Sequence, residues 1–148
     1  MSILTVNESA IDEVVVRLTF EDLQSIGNGG QDTIAQIPAG GAVLSAYAYE
    51  SVAIAGTTSL VIDVGTTAGD PDEFINAWDA DGGTPAYNTG DAFDAGTATS
   101  ASGAAQPVKI VTSATDVLLE VTDAAIASAT AGEIIVGLMI FNPGKFSA

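Results

Sequence analysis

The chain opens its patterned part with strict alternation. Val14, Val16, Leu18 and Phe20 fall on one side, and Val15, Arg17 and Thr19 on the other, the period-two signature of a strand with one face buried. A turn-rich segment follows, Gly27-Asn28-Gly29-Gly30, then a short run from Thr33 to Ile37 that Pro38 closes, because proline donates nothing to a ladder and restricts the residue before it. A long strand is expected over Ala42–Val52, with Val43, Ser45, Tyr47 and Tyr49 on one face and Leu44, Ala46 and Ala48 on the other. Ser59–Val64 reads as the next strand. The intervening Gly56-Thr57-Thr58 is short enough to join the two as a hairpin.

From Gly65 to Gln106 the pattern dissolves into Gly, Ala, Thr and Asp. Asp70 followed by Pro71 is a capping pair that predicts a short helical turn at Gly69–Glu73, delivering Phe74, Ile75 and Trp78 to the core. Forty structureless residues are out of proportion in a compact domain, so short strands are expected near Phe74–Trp78 and Thr97–Ala101. Strand patterns return at Val108–Val111 and Val117–Val121. Asp123–Ala131 reads either as a short helix or as an Ala-rich connection. The last strand, Glu133–Phe141, is apolar on both faces: Ile134, Val136, Leu138 and Ile140 against Ile135, Gly137, Met139 and Phe141. That makes it a central strand or one that packs on the core and on another subunit.

Seven or eight strands without a βαβ rhythm predict an all-β fold, an antiparallel β-sandwich that is either jelly-roll-like or immunoglobulin-like. Residues 13–141 form the sandwich domain, with an N-terminal arm over 1–12 and a C-terminal tail over 142–148. Met1-Ser2-Ile3-Leu4 carries no basic region and no run approaches 18 apolar residues, so neither a secretory signal nor a membrane span is expected.

Composition narrows the chemistry. Against 19 Asp and Glu stand three basic residues, Arg17, Lys109 and Lys145, a formal net charge of −16, with no histidine and no cysteine. The usual catalytic triads and thiolate zinc sites are therefore excluded, no enzyme is expected, and the negative field repels nucleic acid and anionic lipid. Such a surface stays soluble where salt screens its self-repulsion, which fits a halophilic or marine setting.

Asp79-Ala80-Asp81-Gly82-Gly83 alternates carboxylates before a glycine turn, as the start of a calcium loop does, but position 90 is glycine where an EF-hand has its bidentate glutamate. Asp79 and Asp81 are the candidate ligands if calcium binds; otherwise the segment is an Asp/Gly surface turn, and no cofactor is expected. Arg17, in mid-strand, is expected to pair with a carboxylate across a strand or an interface.

Three segments in order, Ile37-Pro38-Ala39-Gly40-Gly41-Ala42-Val43-Leu44, Leu60-Val61-Ile62-Asp63-Val64-Gly65 with Gly69-Asp70-Pro71-Asp72-Glu73-Phe74, and Thr130-Ala131-Gly132-Glu133-Ile134-Ile135-Val136, resemble the head decoration (cement) proteins of tailed bacteriophages. The resemblance implies a virion structural protein on the outer capsid surface, assembled in the host cytoplasm. It implies binding between major capsid protein subunits, as a homo-oligomer with a trimer favoured, and no cofactor. On that reading Tyr47, Tyr49, Met139, Phe141 and Arg17 form the interface. The alternative is a tail- or fibre-associated carbohydrate-binding module that uses Trp78, Tyr87 and the Asp loop, with calcium assisting.

Overall fold

Ten strands and one short helix account for most of the residues described by the computed structural model, which are 5–6, 10–93 and 110–147. The expected strand near Thr97–Ala101 and residues Val108 and Lys109 lie outside them. In chain order the elements are β1 (Thr5–Val6), β2 (Ile11–Thr19), α1 (Phe20–Ile26), β3 (Gly30–Ile37), β4 (Ala42–Ala55), β5 (Val61–Gly65), β6 (Ile75–Asp79), β7 (Ala86–Tyr87), β8 (Thr115–Thr122), β9 (Ala131–Phe141) and β10 (Phe146–Ser147).

The strands make two four-stranded antiparallel sheets, ordered β2-β9-β4-β7 and β3-β8-β5-β6, and β1 pairs with β10 as a separate two-stranded ribbon. This is the expected all-β antiparallel sandwich. The inner faces supply the core. From the first sheet come Ala46, Ala48, Ile134, Val136, Leu138 and Ile140; from the second come Ile62, Val64, Ile75, Trp78, Val117, Leu119 and Val121. Truncating a buried leucine such as Leu138 to alanine costs about 3 kcal/mol in a core of this kind. The two-sided apolar pattern of β9 is explained by its place between β2 and β4.

Four expectations are corrected. Gly56-Thr57-Thr58 is not a hairpin: β4 pairs with β7 and β9, β5 with β6 and β8, so the chain crosses from one sheet to the other. Asp123 fixes this crossing. It is buried, its carboxylate accepts the N–H groups of Thr58 (3.0 Å) and Ala125 (2.7 Å), and its own N–H donates to Asn28 Oδ1 at 3.0 Å. Second, the strand at Val14 stops at Thr19, which caps α1. The Thr19 side chain accepts the Asp22 N–H, and the Asp22 carboxylate accepts the Thr19 N–H, a reciprocal capping box that turns Phe20 from a strand residue into a helical one.

Third, a bulge between Val43 and Ser45 resets the alternation of β4, so that Val43, Ala46 and Ala48 all face the core while Tyr47 and Tyr49 face outward. Fourth, Gly69–Glu73 forms no helix. Glu73 instead reaches back to the end of β5, where its carboxylate accepts the N–H of Thr66 (2.7 Å) and the hydroxyls of Thr66 (2.9 Å) and Thr67 (2.5 Å). The delivery of Phe74, Ile75 and Trp78 to the core holds, with Ile75 and Trp78 in β6. Between β8 and β9 the Ala-rich stretch is a connection with a single 3-10 turn at Ile126–Ser128.

At the other end of the chain, Ile110 makes an isolated bridge to Ala42 and Val111 is buried beside it. The segments set apart as arms meet through β1 and β10. Lys145 pairs with Asp12 at 2.5 Å, Asn142 donates to the same carboxylate at 3.0 Å, and the Phe146 ring packs on Phe141 with centroids 5.8 Å apart.

Candidate interaction face

The outward surface of the β2-β9-β4-β7 sheet is built from cross-strand rows. Val15, Gly137, Tyr47 and Tyr87 are successive partners across all four strands. Arg17, Ile135 and Tyr49 form the next row, Glu13, Met139 and Ser45 the row on the other side, and Ile11 lies opposite Phe141. Register therefore gathers Tyr47, Tyr49, Met139, Phe141 and Arg17, the five expected interface residues, onto one face. It adds Ile11, Val15, Ile135 and Tyr87.

Gly137 shapes the middle of that face. A Cβ there would stand 2.0 Å from Cζ of Tyr47, so the tyrosine ring lies directly over the glycine, covering a position where another side chain would lift it away. The Tyr47 hydroxyl points to Glu13, donating at 3.4 Å, and burial together with that carboxylate pushes the phenol above its ordinary pKa. Tyr49 stacks beside it, with ring centroids 6.4 Å apart and planes 16° from parallel. The result is a flat aromatic and aliphatic surface.

Its rim is charged but paired. Arg17 forms an ion pair with Glu133, and Ser51 donates to the same carboxylate at 2.7 Å; the Ser51 bond first and then Arg17 hold Glu133 below the usual carboxylate range. Val52 stands opposite Glu133 on the same strand margin.

Exposure is distributed unevenly between the two sheets. Eight large apolar residues are exposed among the described residues: Ile11, Val15, Leu44, Tyr49, Val52, Tyr87, Ile110 and Met139. Seven lie on strands of the first sheet and the eighth, Ile110, is bridged to β4. The outward face of the second sheet carries the row Gln31, Glu120 and Asp63 instead. There Gln31 donates to Glu120 at 2.5 Å and Gln36 to Asp116 at 3.0 Å, while Asp63 accepts the N–H of Ala77 at 2.5 Å. Burial, with Glu120 and Asp70 adding repulsion, raises the Asp63 pKa. Contiguous exposed apolar surface marks an interaction site; scattered single residues do not.

The remaining candidate residues sit elsewhere. Asp79 and Asp81 do come together, at the end of β6. Asp79 is raised by its hydrogen bond to Asp81, while Asp81, against the effect of burial, is lowered by bonds from Thr57 (2.8 Å) and Asp79. Among the described residues no group of three or more Asp, Glu, His or Cys is placed to hold a metal ion. Trp78 is buried, donating its indole N–H to the Thr84 carbonyl at 2.8 Å, whereas Tyr87 is 67% exposed on the apolar face. The two do not form a common stacking platform. Sequence reasoning missed Val15 and Ile11 as parts of the face, and it placed Gly137 there without its role as the seat of the Tyr47 ring. The signal available for Gly137 was a glycine inside an otherwise apolar central strand.

No protein-family model matches the sequence, and no curated protein does. Solved structures match along most of the chain. A chain of the capsid asymmetric unit of cyanophage Pam1 superposes with a TM-score of 0.55 at 19% identity, over 90% of this chain and 85% of that one. A chain of the capsid of Ralstonia phage GP4 superposes with a TM-score of 0.52 at 14% identity, over 88% and 84%. At these identities the likeness establishes a common fold, a two-sheet antiparallel sandwich that also occurs in the capsids of bacterial viruses.

Proposed function

We propose that the protein is a virion structural protein, a capsid decoration or cement protein that binds between major capsid protein subunits on the outer surface of a phage head. The observation that carries this reading is the unequal outward surface of the two sheets: one aromatic and aliphatic, the other acidic and internally hydrogen-bonded. The apolar face of β2-β9-β4-β7 lies against the shell and the acidic sheet faces the medium. Burial of Tyr47, Tyr49, Met139 and their neighbours drives attachment, and a specific interface of this kind removes about 1,600 Å² from water. The terminal segments 1–12 and 142–148, joined at the Phe141 corner, add grip as arms.

The strand order supports reading the sandwich as a jelly roll. From β2 to β9 consecutive strands alternate between the two sheets, except for the β5–β6 hairpin. That rhythm is what two interleaved Greek keys produce. The likeness to chains in the two phage capsids agrees with a place in a virion.

The direct test is to incubate the purified protein with heads that lack it and to image them by electron cryomicroscopy. Density for the sandwich at capsomer boundaries, with the tyrosine face inward, is the expected result. Heads that stay bare at saturating protein would sink the proposal.

A further inference from the structure

The face described above ends at β2, and β2 is an edge. It pairs with β9, and among the described residues no strand lies along its other side. Two hydrogen bonds fix which of its residues are open. Asn142 N–H donates to the Ala10 carbonyl at 2.7 Å, so the residues bonded to β9 are the even ones, in step with Ala10. Thr19, an odd residue, gives its N–H to Asp22 and not to β9. Glu13, Val15 and Arg17 therefore direct their main-chain N–H and C=O groups away from the sheet, along a free edge. An edge is normally blocked by proline, a bulge or an inward charge, and none of these falls within Glu13–Arg17; the one inward charge of β2, Asp12, precedes that stretch and is taken up by Lys145 and Asn142.

The side chains on these three open residues are self-complementary. Glu13 and Arg17 flank Val15 symmetrically, one negative and one positive, and all three project from the outer face. We propose that the edge of β2 pairs antiparallel with β2 of a second copy about a two-fold axis through Val15, setting each Glu13 against the partner's Arg17. In this register Val15 faces the partner's Val15. All three residue pairs fall at positions where both main chains have free groups, so each closes two hydrogen bonds. A slip of two residues would place Glu13 against the partner's Val15 and leave the charges unmatched, so charge selects the register.

Arg17, whose side chain is 69% exposed, keeps its own Glu133 on one side while meeting the partner's Glu13 on the other. Val15, 54% exposed in the single chain, is covered at the centre of the contact. The contact is isologous, unlike the three-fold assembly that the resemblance implies. It joins two four-stranded sheets into one of eight and makes their apolar faces continuous.

Two chains of charge −16 repel each other at long range, so the test is made at about 0.5 M sodium chloride, where screening is short. Sedimentation equilibrium of the full chain is expected to show a dimer. Val15→Pro removes one outward N–H without touching the β9 ladder, and is expected to give a monomer whose thermal unfolding matches that of the wild type diluted below its dimer dissociation. Glu13→Arg and Arg17→Glu alone each set like charges together and weaken the dimer about tenfold or more, and the double exchange restores it.

A wild-type monomer throughout the accessible concentration range overturns the proposal. So does an oligomer, dimer or trimer, that survives Val15→Pro with unchanged affinity, or a double exchange no tighter than the singles. If Val15→Pro fails to fold, the charge exchange alone decides. These measurements involve no capsid, so their failure leaves the head-binding reading standing, and bare heads would leave the dimer standing.

Discussion

The two sheets share one core and the same strand count, yet their outer surfaces follow opposite rules. On β2-β9-β4-β7 the outward positions hold Val15, Tyr47, Tyr49, Ile135 and Met139. On β3-β8-β5-β6 they hold Gln31, Asp63, Asp116 and Glu120, each in a hydrogen bond within the chain. A sandwich that needed only to fold and stay dissolved would make both outer faces polar. The first sheet departs from that economy and the second does not. The difference teaches that exposed apolar surface is gathered on one side of the sandwich, while carboxylates stand on the strands of both.

The largest effect expected from breaking this asymmetry is on binding. Replacing Tyr47 and Tyr49 together by Asp makes the first face resemble the second and should weaken attachment to heads about a hundredfold, read by co-sedimentation. Glu120→Lys on the opposite face should change it by less than about threefold. Equal losses from both would erase the distinction.

Next comes the loop that anchors the second sheet. Although burial opposes it, bonds from Thr67 and Thr66 hold the Glu73 carboxyl down to about 2 from 4.5. Because the folded value lies below the unfolded one, this support is complete above about pH 4.5 and is lost as pH falls toward 2. Glu73→Gln should cost about 1–2 kcal/mol at neutral pH, with wild type and variant converging near pH 2 in chemical denaturation. A constant gap across that range would refute the assignment.

Gly137→Ala acts on the first face from beneath. The new methyl displaces the Tyr47 ring, and we expect about 1 kcal/mol lost in thermal unfolding together with a severalfold weaker attachment. The smallest effect is on the second face and has the opposite sign. Burial raises Asp63, so its ionised form is held at a cost that disappears as pH falls through the folded value; Asp63→Asn keeps the acceptor for Ala77 and should stabilise by about 0.5 kcal/mol at pH 7.

How much of this was written legibly in the sequence depends on whether a feature is local. The alternation around Val14–Leu18 and the two-sided apolarity of Glu133–Phe141 announced β2 and the central β9, because period and polarity belong to each strand alone. The hairpin expected at Gly56-Thr57-Thr58 failed because turn chemistry does not record which sheet the next strand joins. That choice is made by Asp123, 65 residues from Thr58 in sequence. The helix at Phe20 did leave a local mark, Thr19 three residues before Asp22, but strand alternation ran straight through it. The candidate face was half visible. Its tyrosines, Met139, Phe141 and Arg17 stood out as residues, whereas the bulge beside Leu44 and the pairing of Tyr47 with Gly137 that set them on one plane are properties of the assembled sheet.

One further consequence concerns force. β1 and β10 run antiparallel and lead into β2 and β9, which pair from Ile11 opposite Phe141 onward. Tension applied between the two ends of the domain therefore meets the sheet at a single corner and opens it like a zipper, one pair of hydrogen bonds at a time, where a shearing geometry would load many bonds together. A load delivered across the broad face of the sheet is instead shared among β2, β9, β4 and β7. Mechanically, the domain is suited to being held as a tile and poorly suited to being pulled as a string.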